Sequence, residues 1–304
     1  MTHLRRALSV VGILVVCAAF AAPAAPRTFK TPEDAVRALA DAVKSNSLDA
    51  VIAIFGDNGR ELAESSDPAT GRQNRDVFIV AFREGWHLVN ASATKRTLVI
   101  GNEDWPFPVP IVKVGTAWQF DAAAGKEEVI ARRIGRNELA AIATCHTYVA
   151  AQARYARDAH DGNAAGAYAA VFASSPGRQN GLYWPAKHGE KLSPLGDLVA
   201  NASAEGRALG GNASPSPFNG YYFRILTAQG AHARGGAKDY TVNGQLTGGY
   251  ALIAWPAQYD ASGVMTFIVN QDGVVRQKDL GPETASRAAA ITAYDPDATW
   301  HAVR

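Results

Sequence analysis

The chain has 304 residues, of which 47% are hydrophobic and 19% charged, with a formal net charge of +2. That is apolar material for one large core or two modest ones, and it excludes a disordered chain, a coiled coil or a disulfide-built miniprotein as the whole account. Composition alone discloses no reaction.

Arg5 and Arg6 precede an apolar run from Ala7 to Phe20 that is too short for an ordinary membrane span and ends among small residues. This order reads as a secretory signal over residues 1–21, cleaved at Ala19-Phe20-Ala21, with Ala22-Pro23-Ala24 offering a second position. Export places the mature chain in the periplasm or outside the cell. Cleavage removes two arginines and no acid, leaving a neutral protein with no electrostatic reason to bind nucleic acid. No later run is long enough for an integral membrane segment. Val16, before Cys17, stands where a lipoprotein signal needs a small residue, so Cys17 is expected to leave with the leader. Cys145 then remains without a disulfide partner, and packing must supply stability.

Residues 22–28 form an Ala/Pro tether to an N-terminal α+β domain over residues 29–125. Thr31 as cap, Pro32 in the first turn and the acids Glu33 and Asp34 start a helix whose face is Ala35, Val36, Leu39, Ala40 and Val43. A second helix is expected over Leu48 to Phe55, ending at Gly56-Asp57-Asn58-Gly59, and a third over Arg75 to Arg83 after a polar loop. Arg96 to Ile100, Ile111 to Val114 and Ala117 to Phe120 read as strands, the last two joined across Gly115-Thr116. Pro106, Pro108 and Pro110 bar the intervening segment from a central strand. In the order of its elements this half resembles the cone-shaped fold of nuclear-transport-factor-like domains, without a matching catalytic dyad.

Residues 127–284 read as a helical block followed by an antiparallel sheet. Glu127 to Ile134 and Asn137 to about Asp158 are expected as helices interrupted or bent at Gly135, with Leu139, Ile142, Cys145, Val149 and Ala153 as the apolar side. A short Ala-rich helix is expected to end at Phe172, and another over Leu195 to about Ala204. Four strands follow: Tyr221 to Leu226, Tyr250 to Trp255, Val264 to Val269 and Val274 to Lys278. Asn270 to Gly273 makes a hairpin between the last two. Such a sheet needs one covered face, and the long helix is its natural cover. The tail, residues 285–304, adds a helix over Ala285 to Ile291. The fold class is therefore α+β, an N-terminal helix-and-curved-sheet domain followed by a long helix packed on a C-terminal antiparallel sheet.

Several separated strings carry a family resemblance. Asn102-Glu103-Asp104-Trp105-Pro106-Phe107-Pro108, Arg132-Arg133-Ile134-Gly135-Arg136-Asn137-Glu138-Leu139, Gly181-Leu182-Tyr183-Trp184-Pro185 and Gly220-Tyr221-Tyr222-Phe223-Arg224 occur here in order. Gly248-Gly249-Tyr250, Trp255-Pro256-Ala257, Gly263-Val264-Met265-Thr266-Phe267 and Lys278-Asp279-Leu280-Gly281 follow them. Together they resemble the exported bacterial proteins of the domain of unknown function 2950 family across residues 29–284. The resemblance implies an exported bacterial protein and assigns no activity.

Tyr183, Trp184, Tyr222 and Trp255 stand beside glycine- or proline-bearing segments, where flat rings can line a groove for sugar or peptide; core packing is the competing account. Arg132, Arg133 and Arg136, before the expected helix start at Asn137, could receive an anion together with free helix N–H groups, unless Glu127, Glu128 and Glu138 neutralise them. Cys145 beside His146 does not make a thiol enzyme, because adjacent helical residues point about 100° apart. Asp158 to Asn163 is too poor in oxygen ligands for calcium, and no zinc spacing occurs, so neither a metal nor another cofactor is expected. No catalytic residue is assigned. The expectation is a non-catalytic cell-envelope binding or assembly module with a glycan, peptide or protein partner; the alternative is a hydrolase acting on an envelope glycan or peptide.

Overall fold

Thr31 accepts a hydrogen bond from the Asp34 N–H at 3.1 Å and so caps α1 (Pro32–Lys44). In this computed structural model the described residues are 24–59, 62, 68–186, 192–196 and 217–303. The expected secretory segment, residues 1–21, lies outside them, as does the part beyond residue 196 of the helix expected over Leu195 to Ala204. The chain divides into two compact units, with the boundary between Lys126 and Glu127.

In the first unit α1 buries Ala35, Val36, Leu39, Ala40 and Val43, the face read from the sequence. Removing a side chain such as Leu39 from water contributes about 1.5–3 kcal/mol. Ser47 caps α2 (Leu48–Phe55), which ends at Gly56 and runs into a 3₁₀ turn at Asp57–Gly59. Gly56 has φ +73°, and a Cβ there would press on the Ala24 carbonyl oxygen and Pro26 nitrogen, so glycine is required. The third helix, α3 (Pro68–Glu84), begins seven residues before the expected Arg75. Residues 69–74 carry no apolar repeat, so periodicity is silent there, whereas Pro68 suits a first turn.

A strand not anticipated from the sequence, β1 (Trp86–Ser92), pairs antiparallel with β2 (Lys95–Ile100). Beside β2 on its other side lie the short β3 (Trp105–Pro106) and then β4 (Ile111–Val114), which forms a hairpin with β5 (Ala117–Phe120). Leu98, Ile100, Ile111 and Phe120 are buried in one cluster with residues of α1 and α2, with Phe55 and Phe120 edge to face at 5.3 Å.

The boundary falls inside α4 (Ala122–Tyr155), one uninterrupted helix that replaces the expected pair broken at Gly135. An interior glycine costs about 1 kcal/mol relative to alanine. Packing along the following three turns offsets that, so the glycine neither ends nor interrupts the helix. The buried edge also differs from the expected stripe. Ala141, Cys145, Tyr148, Gln152 and Tyr155 are buried, Ile142 and Val149 flank them, and Leu139 is 69% exposed. The inward positions include polar and tyrosyl side chains, which a search for aliphatic periodicity passes over.

The second unit is built on an antiparallel sheet in the order β14-β13-β12-β11-β6, comprising β6 (Tyr221–Leu226), β11 (Ala251–Pro256), β12 (Met265–Asn270), β13 (Arg276–Asp279) and β14 (His301–Ala302). Two short ribbons intervene in the chain, β7 (Ala228–Gln229) with β8 (Lys238–Asp239) and β9 (Thr241–Val242) with β10 (Gln245–Leu246). The register places Tyr221, Ala254 and Phe267 on one face and Arg224, Ile253 and Ile268 on the other. α4 packs on the first, and α5 (Thr284–Ala290) is tied to the second by Arg224, whose guanidinium donates to the carbonyls of Ala288, Ala289 and Ile291. The expected long helix on an antiparallel sheet is present, and the C-terminal residues supply a second cover and an edge strand besides. Between Ala156 and Phe172 the expected Ala-rich helix is absent. Gly162 and Gly166 take positive φ there, and Tyr168 pairs with Leu246 instead.

Candidate functional site

The inward edge of α4 carries polar groups that fasten it to strands far away in sequence. Glu138 Oε1 accepts from the backbone N–H groups of Val264 and Met265 at 2.9 and 3.0 Å, while Asn137 Nδ2 donates to the Ser262 carbonyl. The Tyr148 hydroxyl donates to the Ala251 carbonyl at 3.1 Å. Gln152 Oε1 accepts from the Ala169 N–H and its Nε2 donates to the Ala169 carbonyl, so one side-chain amide imitates a strand partner for the irregular segment. These groups are occupied by the fold itself. Cys145 lies among them with no exposure, and burial pushes its thiol up to about 12, which removes it as a nucleophile. His146, the next residue on the helix, is exposed.

Tyr222 and Trp255 face each other as a cross-strand pair, ring centres 5.7 Å apart and planes tilted by 41°, both partly exposed. The Arg224 guanidinium lies 5.6 Å from the Trp255 ring. Tyr183 and Trp184 occupy the irregular segment, where Tyr183 is half-buried and Trp184 only 5% exposed. Trp184 packs beside His160, ring centres 5.6 Å apart, and its indole N–H has no hydrogen-bond partner among the described residues. No ring contact among the described residues joins the two pairs.

Arg132 donates to Glu128 at 2.7 Å, and Arg133 and Arg136 are exposed. Because α4 is continuous, Asn137 caps nothing, and the helix N–H groups around these arginines are bonded within the helix rather than available to an anion. In the loop after α4, His160 and Asn163 exchange two backbone hydrogen bonds around Gly162 and Asp161 accepts from the Gln179 N–H. Among the described residues no three of His, Cys, Asp and Glu converge as a metal site.

A cleft of about 490 Å³ lies on the α5 face of the sheet. Ile268, Leu280, Ile291 and Trp300 give it an apolar lining; Lys278, Arg287, Asp295 and Asp297 bring charge. Sequence reading missed it because its walls come from β12, β13, α5 and the segment after α5. Its charged residues are scattered irregularly among apolar ones from Lys278 to Trp300, a pattern that marks no pocket in the sequence.

The described residues thus define a two-unit α+β protein whose second unit sandwiches an antiparallel sheet between helices and holds a charged, apolar-floored cleft. The chain belongs to the family described as Protein of unknown function (DUF2950), whose sequence profile matches residues 26–303. No curated protein and no solved structure matches it. No helix among the described residues is long and apolar enough to cross a membrane.

Proposed function

We propose that the chain is exported and acts, in the periplasm or outside the cell, as a non-catalytic envelope module that binds a glycan, peptide or protein through Tyr222 and Trp255. The observation that carries this reading is that cross-strand pair, two partly exposed rings held by paired backbone on neighbouring strands. Rings fixed in this way offer apolar area with a polar edge at little entropic cost, which suits sugar faces and peptide side chains. Arg224 adds a cation beside the Trp255 ring. Tyr183, half-buried, is a secondary contact, and Trp184 supports it from within. The basic, apolar and small-residue order of residues 5–24 favours export. The unreactive Cys145 weighs against a thiol hydrolase.

Incubation of the mature protein with purified envelope polymers, followed by binding isotherms and mass analysis of products, tests the reading. Saturable binding without turnover, weakened at least about tenfold by Trp255→Ala, is expected. Product formation, or binding indifferent to both Trp255→Ala and Tyr222→Ala, would overturn it. Intact mass of protein from the native envelope is expected to show cleavage after Ala21 or Ala24.

A further inference from the structure

The cleft on the α5 face has the size of a small-ligand pocket, typically about 300–1,000 Å³. Its charges divide into engaged and available groups. The Asp295 carboxylate accepts from the His232 N–H at 2.7 Å and meets that imidazole at 3.0 Å. Asp297 accepts from both the N–H and the hydroxyl of Thr299. Asp295 is thus tied to His232 and Asp297 to its own turn. The cations are less fully engaged. Arg287 donates one hydrogen bond, to the Leu280 carbonyl at 2.7 Å, leaving most of its five N–H donors without a partner among the described residues. Lys278 reaches its nearest acid oxygen, on Asp297, only at 4.0 Å, and its ammonium stands 5.8 Å from the Trp300 ring centre. The C-terminal carbonyls of α5, which would repel an anion, are covered by Arg224.

We infer that this cleft binds the carboxylate of a small ligand, with Lys278 and Arg287 as the charged contacts and Trp300 and Ile268 beneath the ligand's aliphatic or ring body. The site is separate from the Tyr222–Trp255 pair and does not depend on its role. A carboxylate of this kind can come from the end of a short peptide or from a sugar acid, and four probes distinguish the sources. Titration calorimetry of the mature protein with N-acetyl-alanyl-alanine against its C-terminal amide, and with glucuronate against glucose, is expected to show saturable binding of at least one acid and none of its neutral counterpart. Which acid binds identifies the source.

Lys278→Met and Arg287→Met are each expected to weaken that binding about tenfold or more, the usual effect of losing a charge-assisted hydrogen bond. Arg287 is exposed and Lys278 partly so, and unchanged melting temperatures would show the variants folded. Asp297→Asn keeps the acceptor for Thr299 while removing the acid that competes for Lys278, so it is expected to tighten binding. Absence of binding by either acid, equal binding of the neutral probes, no effect of either cation substitution, or weaker binding by Asp297→Asn would each overturn the assignment.

Discussion

Gln152 is the most informative single position for the packing of the second unit. It is fully buried, and its side-chain amide satisfies both backbone groups of Ala169 while its Nε2 also donates to the Tyr148 hydroxyl at 3.0 Å. Gln152→Leu roughly keeps the volume but removes the amide, stranding the Ala169 N–H and carbonyl in a dry interior. An unsatisfied buried polar group costs about 1–3 kcal/mol, so two of them cost about 2–5 kcal/mol once partial relaxation is allowed. For a unit of this size 1 kcal/mol corresponds to about 2–4 °C, giving a fall in melting temperature of about 4–20 °C. Thermal unfolding followed by near-ultraviolet circular dichroism measures the shift, and amide exchange at Ala169 should accelerate with it. A variant melting within a degree of the parent, with Ala169 still protected, would refute the claim that the amide substitutes for a strand partner. Gln152→Glu sharpens the test. The buried carboxylate's pKa must rise above its unfolded value, so that variant should lose stability as pH rises through the folded value and regain it in acid.

The Cys145 thiol, raised by burial to about 12, should resist thiol reagents at pH 8 in the native protein and react at the rate of unfolding; rapid native labelling would contradict its placement. Above the ordinary thiol value of 9.0 the unfolded chain gains thiolate first, so this group disfavours folding progressively as pH rises toward 12. His232, hydrogen-bonded to Asp295, should titrate above its ordinary 6.5 by NMR, and Asp295→Asn should return it there. The sign follows from the raised value: the tie favours folding fully below 6.5 and fades as pH rises through the folded pKa.

The elements most legible in the sequence were those with local punctuation. Thr31-Pro32 marks the start of α1 and Gly56 the end of α2, and Gly115 and Asn270 to Gly273 mark the hairpins, because caps and tight turns are fixed by side chains within four residues. Gly135 misled, since a helix boundary read from propensity yields to tertiary packing. The face of α4 was shifted because Glu138, Tyr148 and Gln152 point inward and find hydrogen bonds on strands more than a hundred residues away, in an irregular loop or on each other. Of the site, Tyr222 and Trp255 were readable as a pair only once the register was known, Trp184 proved interior, and the cleft needed four separate elements to close around it.

The arrangement of covers on the C-terminal sheet also dictates an order of events as the chain is synthesised. A chain emerging from its N-terminus presents α4 ahead of the sheet, and the partners of Tyr148 and Glu138 follow 103 and 126 residues later. Contacts at such separation form slowly. The opposite face, with Ile253 and Ile268, waits longer still, because α5 and Trp300 follow strands β6 to β13 in the chain. Until residues 284–303 have emerged, that apolar face remains open to any neighbouring strand or chaperone. A chain cut at residue 283 should therefore keep that face uncovered and aggregate or be cleaved by protease faster than the full chain.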